Sequence, residues 1–442
     1  MACAKKSGRP CVNIITMGCA KNLVDSERLA HMFRSAGVDV VFDADAFTGG
    51  DVVINTCGFI GDAKEESIDM ILQAVRAKEA GGIHSVFVMG CLSERYRKEL
   101  PVEIPEVDGW FGKFDWPDIV GAVSPATLTC GSKPWERVLS KAPHSAYIKI
   151  AEGCNRFCAY CAIPIITGRY HSRKPEDILE EVRAMAAAGT KDFNIIAQDL
   201  SDYGRDLNPE RRSMLARLIE DIAAVPGVEM IRLHYAYPAD FPYDILPVMA
   251  ANPKVCRYLD IALQHISDPV LSNMRRHISS QETRELLARI RREVPGIHIR
   301  TTLMTGFPGE GDREFDELCD FVREQRFERM GAFAYCEEDD TFAARNFKDE
   351  IPQEVKQDRL DRLMAIQQEI SLELNEGKVG KVMRAIIDSE TDEFYLGRTE
   401  FDSPEVDPGV LVAKTRKLSP GDIVDVRITG AEAYDLYAEP VY

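Results

Sequence analysis

The sequence predicts an α/β protein of several domains: an N-terminal parallel-sheet domain, a central open barrel and a small C-terminal β-barrel. The chain has 442 residues. Two to four domains are expected, because a single hydrophobic core rarely extends beyond about 250–300 residues. Short β-rich segments alternate with helical segments through most of the chain, which is typical of parallel sheets. After Gly377 the pattern changes to short strands separated by glycine and proline turns, which favours a small β-barrel.

The N-terminal α/β domain, residues 10–126, is predicted from three apolar segments that each precede a turn of glycine and cysteine. The strands are Val12–Thr16, Asp51–Thr56 and Ser85–Met89, and the helices between them are Lys21–Ser35 and Lys64–Glu79. The carboxyl ends of parallel strands meet at one edge of a sheet. The three turns are therefore expected to lie together.

The central domain, residues 140–375, contains six candidate strands separated by amphipathic helices. The strands are Tyr147–Ile150, Phe193–Ala197, Met230–His234, Tyr258–Leu263, Ile297–Met304 and Met330–Tyr335. Six units are too few for a closed barrel of eight strands, so they predict a curved, partial (β/α)6 TIM-like barrel. One long helix, Glu354–Asn375, ends the domain.

The C-terminal module, residues 376–442, is predicted to be a β-barrel and is acidic. Its strands are Lys381–Ile387, Phe394–Arg398, Val410–Ala413 and Asp422–Ile428, and it carries 14 acidic against 8 basic residues. The whole chain has a net charge of −18 and a pI of about 5.0. Because proteins that bind nucleic acid through its phosphates usually present a basic face, this charge disfavours an RNA substrate and favours a basic protein partner.

The 12 cysteines, without a secretion signal, indicate a reducing compartment where thiols bind metals instead of forming disulfides. No apolar run is long enough to span a bilayer. We therefore expect a cytoplasmic protein with no membrane partner. Six cysteines share no spacing and are interpreted as core or incidental: Cys3, Cys11, Cys130, Cys256, Cys319 and Cys336.

Three cysteines form a CxxxCxxC motif that predicts a [4Fe–4S] cluster: Cys154, Cys158 and Cys161. Three thiolates leave the fourth iron without a protein ligand, and that iron can bind a small molecule. The alternative is a zinc knuckle, which requires four ligands and usually CxxC pairs. No fourth cysteine or histidine lies at a matching spacing nearby.

Cys19, Cys57 and Cys91 each follow a predicted strand directly and predict a second [4Fe–4S] cluster at one edge of the N-terminal sheet. The alternative is three buried free thiols, a common environment for cysteine. Their three equivalent positions beside glycine favour the cluster.

The CxxxCxxC motif after the first barrel strand resembles the radical S-adenosylmethionine superfamily. The segments MGCAKNLVDSE, NTCGFI, MGCLSER and EGCNRFCAYCAIP resemble the methylthiotransferases of that superfamily, and the likeness covers nearly the whole chain. The resemblance implies a radical-SAM barrel followed by a TRAM (OB-like) β-barrel. It also implies two [4Fe–4S] clusters, an electron donor, and S-adenosylmethionine both as radical source and as methyl donor.

Two branches of this family compete: one methylthiolates tRNA adenosine and the other the β-carbon of an aspartate in ribosomal protein S-twelve. The segments RLHY (232–235) and LQH (263–265) resemble the ribosomal-protein branch. The tRNA branch usually has QNVN where this chain has QDLS. The resemblance therefore implies ribosomal protein S-twelve, or the small ribosomal subunit, as substrate. A non-catalytic iron–sulfur or zinc scaffold that binds ribosomes is the alternative from another class.

The resemblance also implies contacts to S-adenosylmethionine at the ends of two barrel strands, from Gln198 and Asp199 and from Phe307 and Pro308. The alternatives are helix capping at Asp199 and a strand–helix turn at the Phe307 segment. For His234 and His265, ordinary hydrogen-bonded core positions are favoured. Arg300, inside an apolar strand, requires a partner, which is either a ligand carboxylate or an internal salt bridge.

Overall fold

The structure is a computed structural model that describes residues 10–44, 47, 49–124, 133, 135–404 and 406–441. Cys3, Cys130 and Glu405 lie outside the described residues. The described chain forms a five-stranded sheet, a six-stranded sheet, a closed five-stranded barrel and one two-stranded ribbon. No helix in these ranges is long and apolar enough to cross a membrane.

The N-terminal domain is built on a parallel sheet with the strand order β2-β1-β3-β4-β5. Its elements are β1 (Cys11–Thr16), α1 (Ala20–Ser35), β2 (Asp39–Phe42), β3 (Asp51–Thr56), α2 (Gly61–Glu79), β4 (Val86–Gly90), α3 (Cys91–Arg95), α4 (Leu100–Glu103), β5 (Gly109–Trp110) and α5 (Trp116–Val123). The sequence pattern missed β2 and β5. They are short edge strands, and two to four residues carry too little periodicity to be recognised.

The central domain is an open barrel whose six parallel strands have the order β13-β12-β11-β10-β9-β6. Its first elements are β6 (Ser145–Lys149), β7 (Ala151–Glu152), α6 (Ile163–Thr167), β8 (His171–Ser172), α7 (Pro175–Ala187), β9 (Asp192–Ile196), a 3₁₀ turn (Leu200–Asp202), α8 (Leu215–Ala223), β10 (Met230–Ala236) and α9 (Ile245–Ala251). They continue with β11 (Val255–Ile261), α10 (Asp268–Asn273), α11 (Ser280–Glu293), β12 (His298–Thr305), α12 (Asp312–Gln325), β13 (Arg329–Ala334), α13 (Phe342–Asn346) and α14 (Gln353–Glu376).

The C-terminal module is a closed barrel with the strand order β14-β15-β16-β18-β17. Its strands are β14 (Val382–Glu390), β15 (Phe394–Thr399), β16 (Val410–Ala413), β17 (Ile423–Ala431) and β18 (Leu436–Pro440). The sequence pattern missed β18, which closes the barrel by pairing with β16 and β17. The parallel pairing of β18 with β16 joins strands that are not consecutive in the chain, and local periodicity does not reveal it.

The open central barrel leaves a gap between its edge strands β6 and β13, and the N-terminal domain covers this gap. On the β6 side, the buried carboxylate of Asp25 in α1 accepts hydrogen bonds from Lys113 at 2.8 Å and from Lys149 of β6. Burial raises the pKa of Asp25, but the two ammonium groups lower it by more, to about 2. The carboxylate is therefore charged and joins the two domains.

On the β13 side, ion pairs and a hydrogen bond connect the loop that follows the strand to the N-terminal domain. Glu338 accepts hydrogen bonds from Lys64 of α2 at 2.8 Å and from Arg95 of α3 at 2.6 Å. Tyr96 donates to Asp339 at 2.8 Å. The two edges of the open barrel are thus both held by charged groups of one domain.

The C-terminal barrel packs against the amino-terminal ends of the central strands, at the end opposite to the predicted cysteine sites. Arg398 of β15 pairs with Asp192, the first residue of β9, at 2.9 Å. Arg329, the first residue of β13, pairs with Asp402 at 2.8 Å. Three acidic residues of this module pair with the central domain or with the segment before it: Asp388, Asp402 and Asp407. Part of the acidity of the module therefore holds the domains together.

One cysteine departs from the expectation of free thiols: Cys11, at the beginning of β1, is disulfide-bonded. Pairing depends on the distance between two Cβ atoms, which sequence spacing does not reveal. Cys256 and Cys319 are buried free thiols, whereas Cys336 is exposed.

We expect Asp25→Asn to lower the free energy of unfolding by about 3–5 kcal/mol, because it leaves two buried ammonium groups without their counter-charge. Urea unfolding followed by circular dichroism measures this loss. Because the pKa of Asp25 is lowered in the folded state to about 2, the wild-type advantage should be present above pH 4 and should disappear as the pH falls toward 2.

The matched control is Asp320→Asn, since Asp320 pairs with Arg323 on the surface and is 78% exposed. This change should alter stability by no more than about 0.5 kcal/mol. Equal stability of the two variants would show that the Asp25 pairs do not join the domains.

Candidate active site

The structure brings together the three loops that carry Cys19, Cys57 and Cys91. Gly18 has a φ of +85°, and a Cβ atom there would lie only 2.7 Å from the Cβ of Cys57. A Cβ atom on Gly58 would lie 2.6 Å from the Cα of Leu92, next to Cys91. Glycine is therefore required at both positions for the loops to approach one another.

The pKa values of these three thiols are shifted in different directions. Burial raises the pKa of Cys91 to about 12 and also raises the pKa of Cys57. Burial likewise raises the pKa of Cys19, but Lys21, Lys113 and backbone N–H groups lower it by more. The pKa of Cys19 is thus below its ordinary value.

Cys154, Cys158 and Cys161 lie in the loop between β7 and α6, at the carboxyl end of the barrel. Arg276 donates from Nη1 to the sulfur of Cys158 at 3.3 Å, and the hydroxyl of Tyr237 lies 3.8 Å from the same sulfur. The backbone N–H of Arg156 donates to the sulfur of Cys154 at 3.4 Å. Cationic and polar groups thus surround the thiols.

The chemistry of these thiols fits a metal cluster. Burial raises the pKa of Cys154 to about 12 and raises that of Cys161 still further. Such thiols stay protonated unless a metal replaces the proton. Among the described residues, no three Cys, His, Asp or Glu side chains converge on one metal ion. A [4Fe–4S] cluster does not require this, because each thiolate binds a different iron.

Oε1 of Gln198 and Nη2 of Arg156 are among the buried polar atoms beside this loop that have no partner in the described chain. Gln198 donates from Nε2 to Glu152 at 2.6 Å. Asp199 accepts from the N–H of Ser201 at 2.8 Å and from Nε of Arg156 at 2.7 Å, so it caps the 3₁₀ turn. The free acceptor and donor suit the amino and carboxylate groups of an amino-acid ligand.

Phe307 and Pro308 lie behind the cysteine loop. The ring of Phe307 is fully buried and packs against Tyr335 and Tyr160, with ring centroids 4.9 and 6.2 Å apart. The carbonyl of Pro308 accepts from Asn273 at 3.2 Å. Tyr160, which precedes Cys161, is the residue of the cysteine loop that contacts Phe307.

The two barrel histidines are hydrogen-bonded core residues, as the sequence favoured. One nitrogen of His234 lies 3.2 Å from the side-chain oxygen of Asn194, and one of His265 lies 3.1 Å from Glu310. Arg300 forms internal salt bridges with Asp260 and with Asp407 of the C-terminal module. The salt-bridge alternative for Arg300 is therefore the observed one.

The two cysteine sites meet at the carboxyl end of β10. The ammonium of Lys21, two residues after Cys19, lies 3.5 Å from the ring centroid of Tyr235. The hydroxyl of Tyr237 lies 3.8 Å from the sulfur of Cys158. Since two residues span at most about 7 Å of chain, these two tyrosines place both sites at one end of the barrel.

A cavity of about 480 Å³ lies between the beginning of α2 and the strands β12 and β13. Its lining includes Phe59, two residues after Cys57, and Tyr160, which precedes Cys161. The volume is within the range of small-ligand pockets. The cavity therefore borders both cysteine loops.

Comparison with known proteins identifies the family. Models of an uncharacterised protein family, UPF0004, of the radical SAM superfamily and of the TRAM domain match residues 11–112, 148–322 and 379–441. The ribosomal protein uS12 methylthiotransferases RimO of Parabacteroides distasonis and Bacteroides fragilis are each 55% identical to the chain. The alignments cover 97% and 98% of this chain, and 98% and 99% of those proteins. This chain belongs to the RimO family.

The solved structures show the same fold at low identity. The radical S-adenosylmethionine methyltransferase TsrM from Kitasatospora setae, with tryptophan and an S-adenosylmethionine analogue bound, matches with a TM-score of 0.53 at 14% identity. The match covers 93% of this chain and 81% of TsrM. The predicted fold class of this RimO-family enzyme is thereby confirmed.

As a radical SAM methylthiotransferase, this enzyme uses [4Fe–4S] clusters and S-adenosylmethionine. Several residues around the cysteines were missed by the sequence analysis: Lys113, Arg156, Tyr237 and Arg276. Arg156 is within the CxxxCxxC motif and could have been considered. Arg276 lies 118 residues from its sulfur partner, and no sequence pattern marks it.

We expect Arg276→Met to lower the reduction potential of a cluster held by the CxxxCxxC cysteines. A hydrogen bond from a charged group contributes about 1.5–3 kcal/mol, and 59 mV corresponds to a tenfold change for one electron. The bond is strongest to the more negative, reduced cluster, so the expected fall is on the order of tens of millivolts. A redox titration followed by electron paramagnetic resonance measures it, in protein whose Cys19, Cys57 and Cys91 are changed to Ala.

Arg275→Met is the matched control, because Arg275 stacks on Phe342, with its guanidinium carbon 4.6 Å from the ring centroid, instead of contacting a sulfur. An identical potential in both variants would exclude tuning by the Arg276 hydrogen bond.

Proposed function

We propose that this enzyme methylthiolates the β-carbon of an aspartate in ribosomal protein uS12 (S-twelve). The relatives that are 55% identical over nearly the whole chain carry that activity in their names. The observation that carries the proposal in the structure is the meeting of two cysteine triads at the end of β10. A substrate carbon there would lie close to both.

In this proposal the cysteines of the CxxxCxxC motif hold the cluster that binds S-adenosylmethionine, and Cys19, Cys57 and Cys91 hold the second cluster. When bound, the clusters and S-adenosylmethionine supply the radical, the sulfur and the methyl group. Gln198 and Arg156 bind the polar groups of the methionine moiety through their free buried atoms. Asp199 positions Arg156 through their 2.7 Å hydrogen bond.

The acidic chain supports a basic protein substrate over tRNA, because phosphate backbones are repelled by net negative charge. Some carboxylates of the C-terminal module form ion pairs within the protein. The carboxylates that remain unpaired on its surface would attract a basic substrate. An electron donor is also required. We place the enzyme in the cytoplasm, where ribosomes and reductants are present.

We expect Cys154→Ala, Cys158→Ala or Cys161→Ala to abolish formation of 5′-deoxyadenosine. Cys19→Ala, Cys57→Ala or Cys91→Ala should preserve that cleavage and stop thiolation. After anaerobic reconstitution, each group of variants should retain about four of about eight irons. Iron counting and chromatography of the cleavage products measure both effects.

Cys319→Ala is the control, since Cys319 is a free thiol buried in the hydrophobic core of the central domain. Retained cleavage in a CxxxCxxC variant would contradict the assignment of the first cluster. Methylthiolation by a Cys19, Cys57 or Cys91 variant would contradict the second. Absence of cleavage in the wild type, with zinc bound, would favour the scaffold alternative.

Deletion of the gene should remove one methylthio group from ribosomal protein uS12, as intact-mass spectrometry of ribosomal proteins from both strains would show. Restoring the gene should restore the mass. Loss of 2-methylthioadenosine from tRNA, with an unchanged ribosomal protein, would instead establish the tRNA activity.

A further inference from the structure

Lys21, at the mouth of the barrel, forms no ion pair with a carboxylate of the described chain. Its ammonium lies 3.5 Å from the ring centroid of Tyr235, and it has no hydrogen bond or ion pair with any described residue. The other lysines near the cysteine sites are different: Lys113 and Lys149 are both bonded to Asp25. Three N–H donors of Lys21 are therefore available to a ligand.

The groups around Tyr235 do not satisfy this charge. Besides Lys21, its ionisable neighbours include Cys19, His234, Asp260 and Arg300, of which Asp260 is the carboxylate. Asp260 forms a salt bridge with Arg300 at 3.3 Å. Arg300 therefore compensates the charge of Asp260. An ammonium held on an aromatic ring in a half-buried position favours an anion that can complete its hydrogen bonds.

We infer that Lys21, positioned by the ring of Tyr235, binds the carboxylate of the target aspartate and selects aspartate over asparagine. The inference rests on the proposed function. The carboxylate of an aspartate is one bond from its β-carbon, so binding it beside Cys19 places that carbon at the proposed sulfur site. Adenosine has no carboxylate for Lys21 to bind.

Tyr235 has an unusual backbone conformation. Its φ of +68° is in the left-handed region, which is uncommon for a tyrosine. This conformation, at the end of β10, accompanies the placement of the ring beneath the ammonium.

The test compares binding of two forms of recombinant ribosomal protein uS12, with Asp or with Asn at the target position. Fluorescence anisotropy with the cluster-loaded enzyme should show the Asp form bound at least roughly 30-fold tighter by the wild type. Lys21→Met should reduce this ratio to near one, while Lys21→Arg, which keeps the charge, should retain a preference. The matched control is Lys414→Met, because Lys414 also lies over a tyrosine ring, Tyr395 at 5.0 Å, but in the C-terminal barrel.

The outcomes separate this inference from the proposed function. If the wild type methylthiolates uS12 and Lys21→Met keeps the preference for Asp, the inference is wrong and the function stands. If the wild type neither binds nor modifies uS12, the proposed function fails. If the Lys21→Met variant does not retain its iron, the test uses the wild-type enzyme alone. Equal affinity of the wild type for the Asp and Asn forms would overturn the inference.

Discussion

The buried carboxylate of Asp25, held between Lys113 and Lys149, is the interaction on which the rest of the architecture depends. The six parallel strands of the central domain form an open sheet, so the domain has an open side that another element covers. Asp25 brings α1 of the N-terminal domain against the edge strand β6. Because α1 begins directly after Cys19, the same contact places the first cysteine of the N-terminal triad at the mouth of the barrel. A buried charge at this position is tolerated only because both ammonium groups compensate it.

The two ends of the barrel strands have different tasks. At their amino-terminal ends, arginines bind the C-terminal module, as Arg329 does with Asp402. At their carboxyl ends lie the cysteine loops and the unpaired atoms of Gln198 and Arg156. The arrangement follows the general rule that α/β barrels carry their sites at the carboxyl ends of strands. The C-terminal module therefore packs against the amino-terminal ends of the strands and does not cover the cysteine loops at their carboxyl ends.

Arg232, Tyr235 and Arg300 show how residues of the barrel strands are divided between these two ends. Arg232 of RLHY pairs with Asp192 at 3.0 Å, and its other nitrogen donates to the carbonyl of Thr399. Arg300 reaches Asp407. Both arginines thus join the barrel to the C-terminal module. Tyr235, three residues after Arg232, contacts the cation beside Cys19 instead. Four consecutive residues therefore contact the C-terminal module at one end and the loop after Cys19 at the other.

Sequence by itself determined what depends on local spacing. Alternation of strands and helices predicted the fold class, and the interval between Cys154 and Cys161 predicted a cluster site, because three thiolates on one short loop reach one cluster. The positions of Cys19, Cys57 and Cys91 after successive strands indicated that they meet, since parallel strands end at a common edge. Only the tertiary structure decided the partners of charged groups. Arg276 reaches Cys158 from 118 residues away, and Lys149 reaches Asp25 from 124 residues away. Such pairs form because burial makes an unpaired charge costly, and which partner satisfies the charge depends on distances that exist only after the chain has folded.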